Sequence, residues 1–335
     1  MGDIASGKSN PTFKTLACLL VAVFFLAACG RQNKDDESSH GIGLGDGLFS
    51  VMTFNVGRYG YHDRTGDGQK GDLKPDAERN AVITIIRDAS PDVLAIQEIG
   101  GPVVFEGFKR ALASEGISYA FEAYLQREQS EMNLAVLSRY PIIATHQHVD
   151  DMFSVGDEQI PVKRGFLEVD IAVHPGYQFR MLVAQLKSKE YHPLGQTEMR
   201  RSEARLLNNH VRRALSRNPR MNLLVVGDMN DHVRSAPLRT LMGNQQEFLN
   251  DLRPTDAYGE IWTAFEEVTE TYHRYDYILV SPYMLPEYVA EKSNVIRHPL
   301  NKASSARRPL FAVFQARDIV PLSAPLLPSY EQDSP

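Results

Sequence analysis

The stretch Asn222–Asp231, with the sequence NLLVVGDMND, decides the fold class of this chain. Its first half, Asn222–Val226, predicts a strand, and the continuous apolar run Leu223–Val226 within it is typical of a strand buried on both faces. Gly227, Asp228 and Asn230 follow within four residues. Taken alone, an aspartate after a glycine is more often a turn former than a ligand. Because α/β proteins build ligand sites where strands end, Asp228 and Asn230 are nevertheless candidate site residues.

Apolar runs of the same kind recur along the chain and alternate with helical patterns. Seven further runs predict strands at Leu48–Asn55, Val93–Gln97, Leu134–Ser138, Gly165–Val173, Arg180–Leu186, Tyr277–Val280 and Pro309–Phe314. Apolar residues at helical spacing predict helices over Ala77–Ala89 and Glu198–Leu215. The alternation indicates an α/β protein with mixed sheets. Five arginines in the second helix (residues 200, 201, 205, 212 and 213) favour a solvated amphipathic face over a basic binding surface.

Polar side chains also follow other predicted strands. Asn55 ends the first strand, Glu98 comes directly after the second, and Asp276 precedes the run Tyr277–Val280. Amide and carboxylate oxygens of this kind suit Mg²⁺, which binds through one or two carboxylates together with waters and substrate phosphate. We therefore expect a divalent-metal and phosphate site where these strands end.

The order of these segments is more specific than any one of them. TFNV, AIQE, LAVLSRYPI, GDMND, YDYILV and SSARRPL resemble the ordered motifs of the endonuclease/exonuclease/phosphatase superfamily, over about Leu48 to Arg317. That superfamily includes deoxyribonuclease-I-like nucleases, abasic-site endonucleases, bacterial sphingomyelinases and inositol-polyphosphate phosphatases. The resemblance implies a four-layered sandwich, in which two mixed β-sheets pack face to face and are flanked by helices. It also implies phosphoester hydrolysis that depends on Mg²⁺ or Mn²⁺.

The resemblance also implies a role for each matching residue. Asn55 and Glu98 would hold the metal, with Glu98 as the main carboxylate ligand. Asp228 would orient or activate the attacking water, and Asn230 would bind a phosphoryl oxygen. Asp276 would pair with a catalytic histidine and orient it.

That histidine is missing from this chain. The superfamily's last motif is Ser-Asp-His, a residue and Pro, whereas Ser305–Pro309 is SARRP, with Ala306 and Arg307 at the Asp and His positions. A second histidine is replaced by Gln185, in Gln-Leu-Lys-Ser. Arginine stays protonated and glutamine does not titrate, so Gln185 and Arg307 are expected to bind phosphate rather than transfer protons. A buried carboxylate needs a partner, which predicts an ion pair between Asp276 and Arg307.

Three loop histidines are possible substitutes for the missing base. They are His232, His273 and His298, and a lone loop histidine is usually solvated. Two functions therefore stay open. The chain is either a slowed phosphoester hydrolase of phosphodiesterase or nuclease type, which we favour because the metal-side residues are kept, or a pseudoenzyme that binds a phosphorylated ligand or a protein partner.

The N-terminus predicts export and anchoring. Thr15–Ala28 is an uncharged apolar run, shorter than the roughly 20 residues needed to span a bilayer, and suits a signal peptide. Leu26–Cys29 (LAAC) resembles the bacterial lipobox, in which the cysteine is lipidated; the alternative is an ordinary cleaved signal. We predict a lipoprotein signal peptide over 1–28, a flexible tether over 29–47, the folded domain over 48–317 and a Pro-rich tail over 318–335. Lipidated Cys29 would anchor the protein in a bacterial cell envelope.

Composition limits the partners. The formal net charge is −6, and removing residues 1–28, which hold two lysines and one aspartate, leaves −7. Phosphate neutralisation by Lys and Arg supplies most non-specific nucleic-acid affinity, so an acidic domain does not favour tight binding to nucleic acid. We expect a monomer whose substrate is a nucleic acid, a lipid headgroup or a small phosphoester. The only cysteines, Cys18 and Cys29, leave no internal disulfide in the processed chain.

Overall fold

The computed structural model describes residues 47–69, 71–128, 130–243 and 248–319. The predicted signal peptide, the lipidation site at Cys29, nearly all of the tether and most of the Pro-rich tail lie outside these residues. Within them, no helix is both long and apolar enough to cross a membrane. The first strand begins at Leu48 and the last one ends at Gln315.

Six strands form the first sheet, in the order β17-β18-β1-β4-β6-β5. Their bounds are β1 Leu48–Tyr59, β4 Val93–Ile99, β5 Phe121–Leu125, β6 Asn133–Ser138, β17 Asn294–Val295 and β18 Leu310–Gln315. The central pair β1–β4 is parallel, and the other neighbours are antiparallel. The first sheet is therefore mixed, as the sequence predicts.

Six more strands form the second sheet, in the order β13-β16-β12-β11-β10-β7. Their bounds are β7 Ile142–His148, β10 Phe166–His174, β11 Tyr177–Gln185, β12 Leu223–Asp228, β13 Asn250–Asp251 and β16 Asp276–Val280. Only β11 and β12 run parallel to each other. Each sheet thus has one parallel pair near its centre, and the site residues lie at the ends of these pairs.

The helices cover the outer faces of the two sheets. They are α1 Asp76–Ala89, α2 Pro102–Ser114, α3 Gln196–Arg217, α4 Ala236–Met242 and the single turn α5 Asn301–Ser304. One apolar cluster joins the inner faces of both sheets, a second packs α1 and α2 on the first sheet, and a third packs α3 and α4 on the second. Each fully buried large apolar side chain stabilises the fold by about 1.5–3 kcal/mol. The four-layered sandwich is confirmed.

Short elements complete the described chain. Three two-stranded ribbons pair β2 Tyr61–His62 with β3 Asp72–Leu73, β8 Met152–Val155 with β9 Glu158–Pro161, and β14 Ala264–Glu266 with β15 Thr271–His273. Two 3₁₀ turns lie at Leu285–Glu287 and Ala290–Lys292.

All eight predicted strands and both predicted helices are present, and most of their ends differ from the prediction by one to four residues. Helix α2 was not predicted, although Phe105, Phe108 and Leu112 have helical spacing and are buried. The solvated face expected for the arginines of α3 is wrong at Arg200. This side chain is buried and pairs with Asp231 at 2.8 Å, because the start of α3 packs against the loop that follows β12.

Candidate active site

Strand register brings the candidate residues together. In the second sheet, Asp228 on β12 lies opposite Gln185 on β11 and opposite Asp276 on β16. In the first sheet, Asn55 on β1 lies opposite Gln97 on β4, one residue before Glu98. The two groups meet where the sheets face each other, since the Asn55 amide nitrogen is 2.9 Å from the Asp228 carboxylate.

The end of β12 requires its glycine. Gly227 has a φ of 133°, and a Cβ at this position would lie 2.0 Å from the carbonyl oxygen of Ala184 on the neighbouring strand. Asn230 adopts a φ of 51°, a left-handed conformation that asparagine tolerates better than most residues. Its side-chain nitrogen donates to the Leu186 carbonyl at 2.9 Å, and its backbone N–H donates to Asp228 Oδ1 at 2.9 Å. The GDMN turn is therefore fixed in one geometry.

Glu98 points into the site because the strand is irregular at this residue. Both neighbours of β4 shift register between Gln97 and Ile99, and Glu98 has a φ of 63°. A bulge of this kind re-aims a side chain, and strained backbone is concentrated at functional sites. The Glu98 carboxylate accepts hydrogen bonds from Asn55 Nδ2 at 3.0 Å, Gln185 Nε2 at 2.6 Å and the backbone N–H of Arg58 at 2.8 Å.

These donors keep Glu98 ionised. Burial alone would raise its pKa, but the positive charge of Arg164 and the hydrogen bonds from Asn55, Gln185 and Arg58 outweigh that effect. The pKa of Glu98 therefore lies below its ordinary value of 4.5. A partly exposed, ionised carboxylate is the group that a divalent cation needs.

Arg307 occupies the centre of the second group of residues. Its guanidinium lies 3.0 Å from Asp228 Oδ2 and donates to Asn230 Oδ1 at 3.0 Å. It also lies 3.6 Å from Asp276 Oδ2, which confirms the predicted ion pair. The pKa of Arg307 is raised, because the negative charges of Asp228, Asp276 and Glu98 outweigh the effect of burial. The prediction did not anticipate that the closest partner of Arg307 would be Asp228.

Asp276 is in the opposite electrostatic situation from Glu98. It is buried, and Oδ2 has no hydrogen-bond partner within the described residues. Burial and the neighbouring Asp228 charge raise the pKa of Asp276 well above 3.8, and Arg307 only partly offsets them. Arg307 thus takes the place of the missing histidine. Its guanidinium, 3.6 Å from Asp276, partly balances the negative charge but makes no hydrogen bond to it.

Gln185 is oriented by the metal-side carboxylate. Its Nε2 donates to Glu98, which leaves Oε1 buried and without a partner in the described part of the chain. A buried acceptor without a donor is costly, so this oxygen fits a ligand such as a cation. We predicted a phosphate contact for Gln185, and the structure places it against Glu98.

Two cations of the site were not predicted. Lys74 Nζ donates to the backbone oxygens of Val56 and Gly57 at 3.1 and 2.7 Å, and burial lowers the pKa of Lys74 to about 8. Buried Arg164 acts electrostatically on Glu98. Lysine is rarely buried, so the sequence held no signal for Lys74. Arg164 directly precedes a predicted strand, and this position is the feature of the sequence that could have indicated it as a site residue.

None of the three loop histidines replaces the missing base in this geometry. His232 is 3.5 Å from Asp231 with a side chain that is 62% exposed, and His298 pairs with Asp88 at 3.1 Å. His273 contacts Thr271 at 2.7 Å. These partners differ from the candidate site residues. The expected solvation holds for His232, whereas the side chains of His273 and His298 are only 27% and 18% exposed.

The donor atoms around Glu98 bear on whether the site can hold a divalent cation. Among the described residues, no group of three or more His, Cys, Asp and Glu side chains is arranged to hold a metal ion. Mg²⁺ needs only one or two carboxylates, since waters and substrate phosphate supply its other ligands. Ionised Glu98 and Oε1 of Gln185, which has no partner among the described residues, provide two hard oxygen donors. The Asn55 amide turns its nitrogen toward Glu98 and its oxygen toward the Gly57 N–H, so in this geometry it positions the carboxylate. These donors fit a divalent cation.

Fold and site together define the class, a four-layered α/β sandwich of phosphoester-hydrolase type. The model of the Endonuclease/Exonuclease/phosphatase family matches residues 52–294, and the chain belongs to that family. The predicted superfamily is therefore confirmed. No curated protein matches the sequence.

Solved structures show the same fold at low identity. The human Nocturnin catalytic domain with bound sulfate anion is 17% identical with a TM-score of 0.56, over 80% of this chain and 94% of that one. Beta toxin 275-280 from Staphylococcus aureus is 15% identical with a TM-score of 0.57, over 79% and 99%. Truncated TDP2 from Caenorhabditis elegans is 15% identical with a TM-score of 0.53, over 80% and 98%.

Proposed function

We propose that this protein is a divalent-metal-dependent phosphoester hydrolase, of phosphodiesterase or nuclease type, that works slowly. The observation that carries the proposal is the bridge made by Asn55. Its amide nitrogen bonds both Glu98 at 3.0 Å and Asp228 at 2.9 Å, and so joins the metal-side carboxylate to the carboxylate of the GDMN turn. Glu98, which would hold the metal, and Asp228, which would hold the attacking water, are thereby kept one amide group apart.

The side chains of the site divide the work. Glu98 and Gln185 would hold Mg²⁺ or Mn²⁺, with Asn55 orienting the Glu98 carboxylate, and the metal when bound would supply Lewis acidity to the phosphoryl oxygen. Asp228 would orient the attacking water. Asn230 and Arg307 would bind the other phosphoryl oxygens, because an arginine fork matches phosphate geometry. Asp276 would hold Arg307 in place.

The same arrangement explains why the enzyme would be slow. Arg307 stays protonated and cannot exchange a proton near neutral pH, and Gln185 cannot titrate. Loss of a general acid–base group costs about 10²–10⁴ in rate. The Arg307 guanidinium lies 3.0 Å from Asp228 Oδ2, so this oxygen is already engaged before a water binds.

We also propose that the protein acts at a bacterial cell envelope, anchored through lipidated Cys29. This proposal rests on the apolar run Thr15–Ala28 and on the small residues before Cys29. The acidic charge favours a small phosphoester or a lipid headgroup over a tightly bound nucleic acid. Radiolabelled palmitate incorporation that disappears in Cys29→Ala tests the anchor.

The hydrolase proposal is tested with bis(p-nitrophenyl) phosphate and purified protein, with Mg²⁺, with Mn²⁺ and with chelator. We expect slow turnover that chelator abolishes and that falls about a thousandfold in Glu98→Ala, since a metal contributes several kcal/mol to the transition state. Glu131→Ala, a carboxylate outside the Asn55–Asp228 bridge, is the matched control. Turnover that survives both chelator and Glu98→Ala contradicts the proposal.

A pseudoenzyme is the second candidate, and the contacts of Arg307 favour it. The guanidinium satisfies Asp228 and Asn230 at 3.0 Å each, so it already occupies two groups that hydrolysis would use. A protein of this kind would bind inorganic phosphate, measured by calorimetry, and would release no nitrophenol with any metal.

A further inference from the structure

A cavity of about 780 Å³ lies beside the site, and Asn230 and Arg307 form part of its lining. These two residues also hold the phosphoryl oxygens in the proposed function. A group attached to a phosphoryl bound there would therefore extend directly into the cavity. Its volume lies within the range of small-molecule sites, about 300–1,000 Å³.

The outer wall of the cavity is aromatic. Trp262, Phe265 and Tyr272 lie on or next to the β14–β15 ribbon, with ring centroids 4.7 Å apart for Trp262–Tyr272 and 4.9 Å apart for Phe265–Tyr272. Tyr272 is 61% exposed and Phe265 is partly exposed. Two neighbouring rings thus present accessible surface at the side of a phosphate-binding residue.

Cationic side chains hold two of the aromatic rings of the lining, Trp262 and Tyr275, in place. The guanidinium of Arg308 lies 4.1 Å from the ring centroid of Trp262, and Arg308 is itself buried and paired with Asp256 at 2.8 Å. Tyr275 is buried beneath Lys189 at 4.6 Å and Arg307 at 5.1 Å. These contacts fix Trp262, against which Tyr272 packs at 4.7 Å, so the Tyr272 ring is supported before a ligand binds and stacking on it has little ordering cost.

We propose that this cavity binds a planar aromatic group joined to the phosphoryl group of the substrate, stacked against Tyr272 and Phe265. The inference rests on the proposed function, because Arg307 and Asn230 must bind the phosphoryl group. Ring stacking is independent of the identity of the ring, so a nucleobase and a simple aryl group share this chemistry. The site thereby prefers aromatic phosphoesters over alkyl ones.

The test measures binding without turnover. Phenylphosphonate, methylphosphonate and adenosine 5′-monophosphate are titrated into the full protein with Mg²⁺ by calorimetry, and emission from Trp262, the only tryptophan of the chain, is followed in parallel. We expect phenylphosphonate to bind about tenfold more tightly than methylphosphonate, in the range of base–aromatic stacking, and to change the Trp262 emission. The relative affinity of adenosine monophosphate distinguishes a nucleobase from a simple aryl group.

Variants assign the effect to the cavity. Tyr272→Ala is expected to weaken phenylphosphonate about tenfold and methylphosphonate far less, whereas Tyr191→Ala, 83% exposed and outside the cavity lining, changes neither. Circular dichroism confirms that each variant is folded. Equal affinities of the two phosphonates, or no effect of Tyr272→Ala, overturn the aromatic pocket and leave the phosphate site standing. Absence of binding by all three ligands overturns the proposed function as well.

Discussion

Glu98 and Asp276 are both acidic residues of one site, and both are linked to Asp228 by a neighbouring side chain. Glu98 is linked through the amide of Asn55, and Asp276 through the guanidinium of Arg307. The pKa of Glu98 is lowered and that of Asp276 is raised. Burial raises the pKa of both, so the difference comes from their neighbours: the Arg164 charge and three hydrogen-bond donors act on Glu98, whereas Asp276 faces the negative charge of Asp228.

This comparison explains how the site tolerates its lost histidine. Glu98, on the proposed metal side, accepts three hydrogen bonds. Asp276, on the proton-transfer side, has only the positive charge of Arg307 nearby. Directed hydrogen bonds to a charged form favour that form, while a cation at 3.6 Å without a hydrogen bond compensates less. Under the proposed function, Glu98 would take the cation and Arg307 would take the phosphate.

The largest effect is expected when Asp276 regains a titratable partner, which would reduce its difference from Glu98. The double change Ala306→Asp and Arg307→His restores a titratable partner for Asp276, and we expect turnover to rise about 10²–10⁴-fold. The rate should then fall on the acid side with an apparent pKa near 6.5, as the new histidine protonates. A pH–rate profile with bis(p-nitrophenyl) phosphate measures both. An unchanged rate would show that proton transfer does not limit this site.

Removing the guanidinium alone should harm stability. Arg307→Ala leaves Asp228 and Asp276 buried without a cation, and breaking a buried pair in this way costs about 3–5 kcal/mol. Urea unfolding at pH 7 measures the loss. Arg201→Ala, on a side chain that is 54% exposed, is the matched control and should stay within about 0.5 kcal/mol of wild type. A loss equal to that of the control would mean that the Arg307 pairs contribute nothing to stability.

The two carboxylates should give opposite pH dependences of stability, measured with chelator present. Because its pKa is raised, Asp276 keeps its proton to a higher pH in the folded state than in the unfolded state. The free energy of unfolding therefore falls as pH rises from 3.8 toward the folded pKa. Asp276→Asn is expected to remove this fall. The lowered pKa of Glu98 gives stability that is present above 4.5 and lost as pH decreases through the folded pKa. Glu98→Gln removes that loss. Parallel profiles for the two variants would contradict the comparison.

The smallest expected effect concerns Arg58. It tests whether the backbone of this residue, and not its side chain, positions Glu98. Arg58 donates to Glu98 through its backbone N–H, while its side chain makes an exposed ion pair with Glu190 at 3.4 Å. We expect Arg58→Ala to change the free energy of unfolding by less than about 1 kcal/mol, as exposed pairs contribute little. Thermal unfolding detects the change. A loss of several kcal/mol would show that the side chain, and not the backbone, positions Glu98.

The sequence by itself determined the architecture and the residue types of the site. Apolar runs followed by polar groups are local patterns, so the strands and the positions of Asn55, Glu98 and Asp228 were readable without coordinates. The charge exchange at Arg307 was readable as well, and it predicted the pair with Asp276. The apolar spacing of α2 is also a local pattern that indicates a helix, although this helix is not among the predictions.

Only the tertiary structure decided how these groups pair. Arg307 reaches Asp228 across 79 residues of sequence, and Asn55 reaches the same carboxylate across 173. The burial of Lys74 and Arg200 follows from how two sheets and their loops pack. So do the oxygens of Gln185 and Asp276 that have no partner in the described part of the chain. Periodicity reports which face of an element is buried, but hydrogen-bond partners and pKa shifts depend on atoms that other elements bring within about 4 Å.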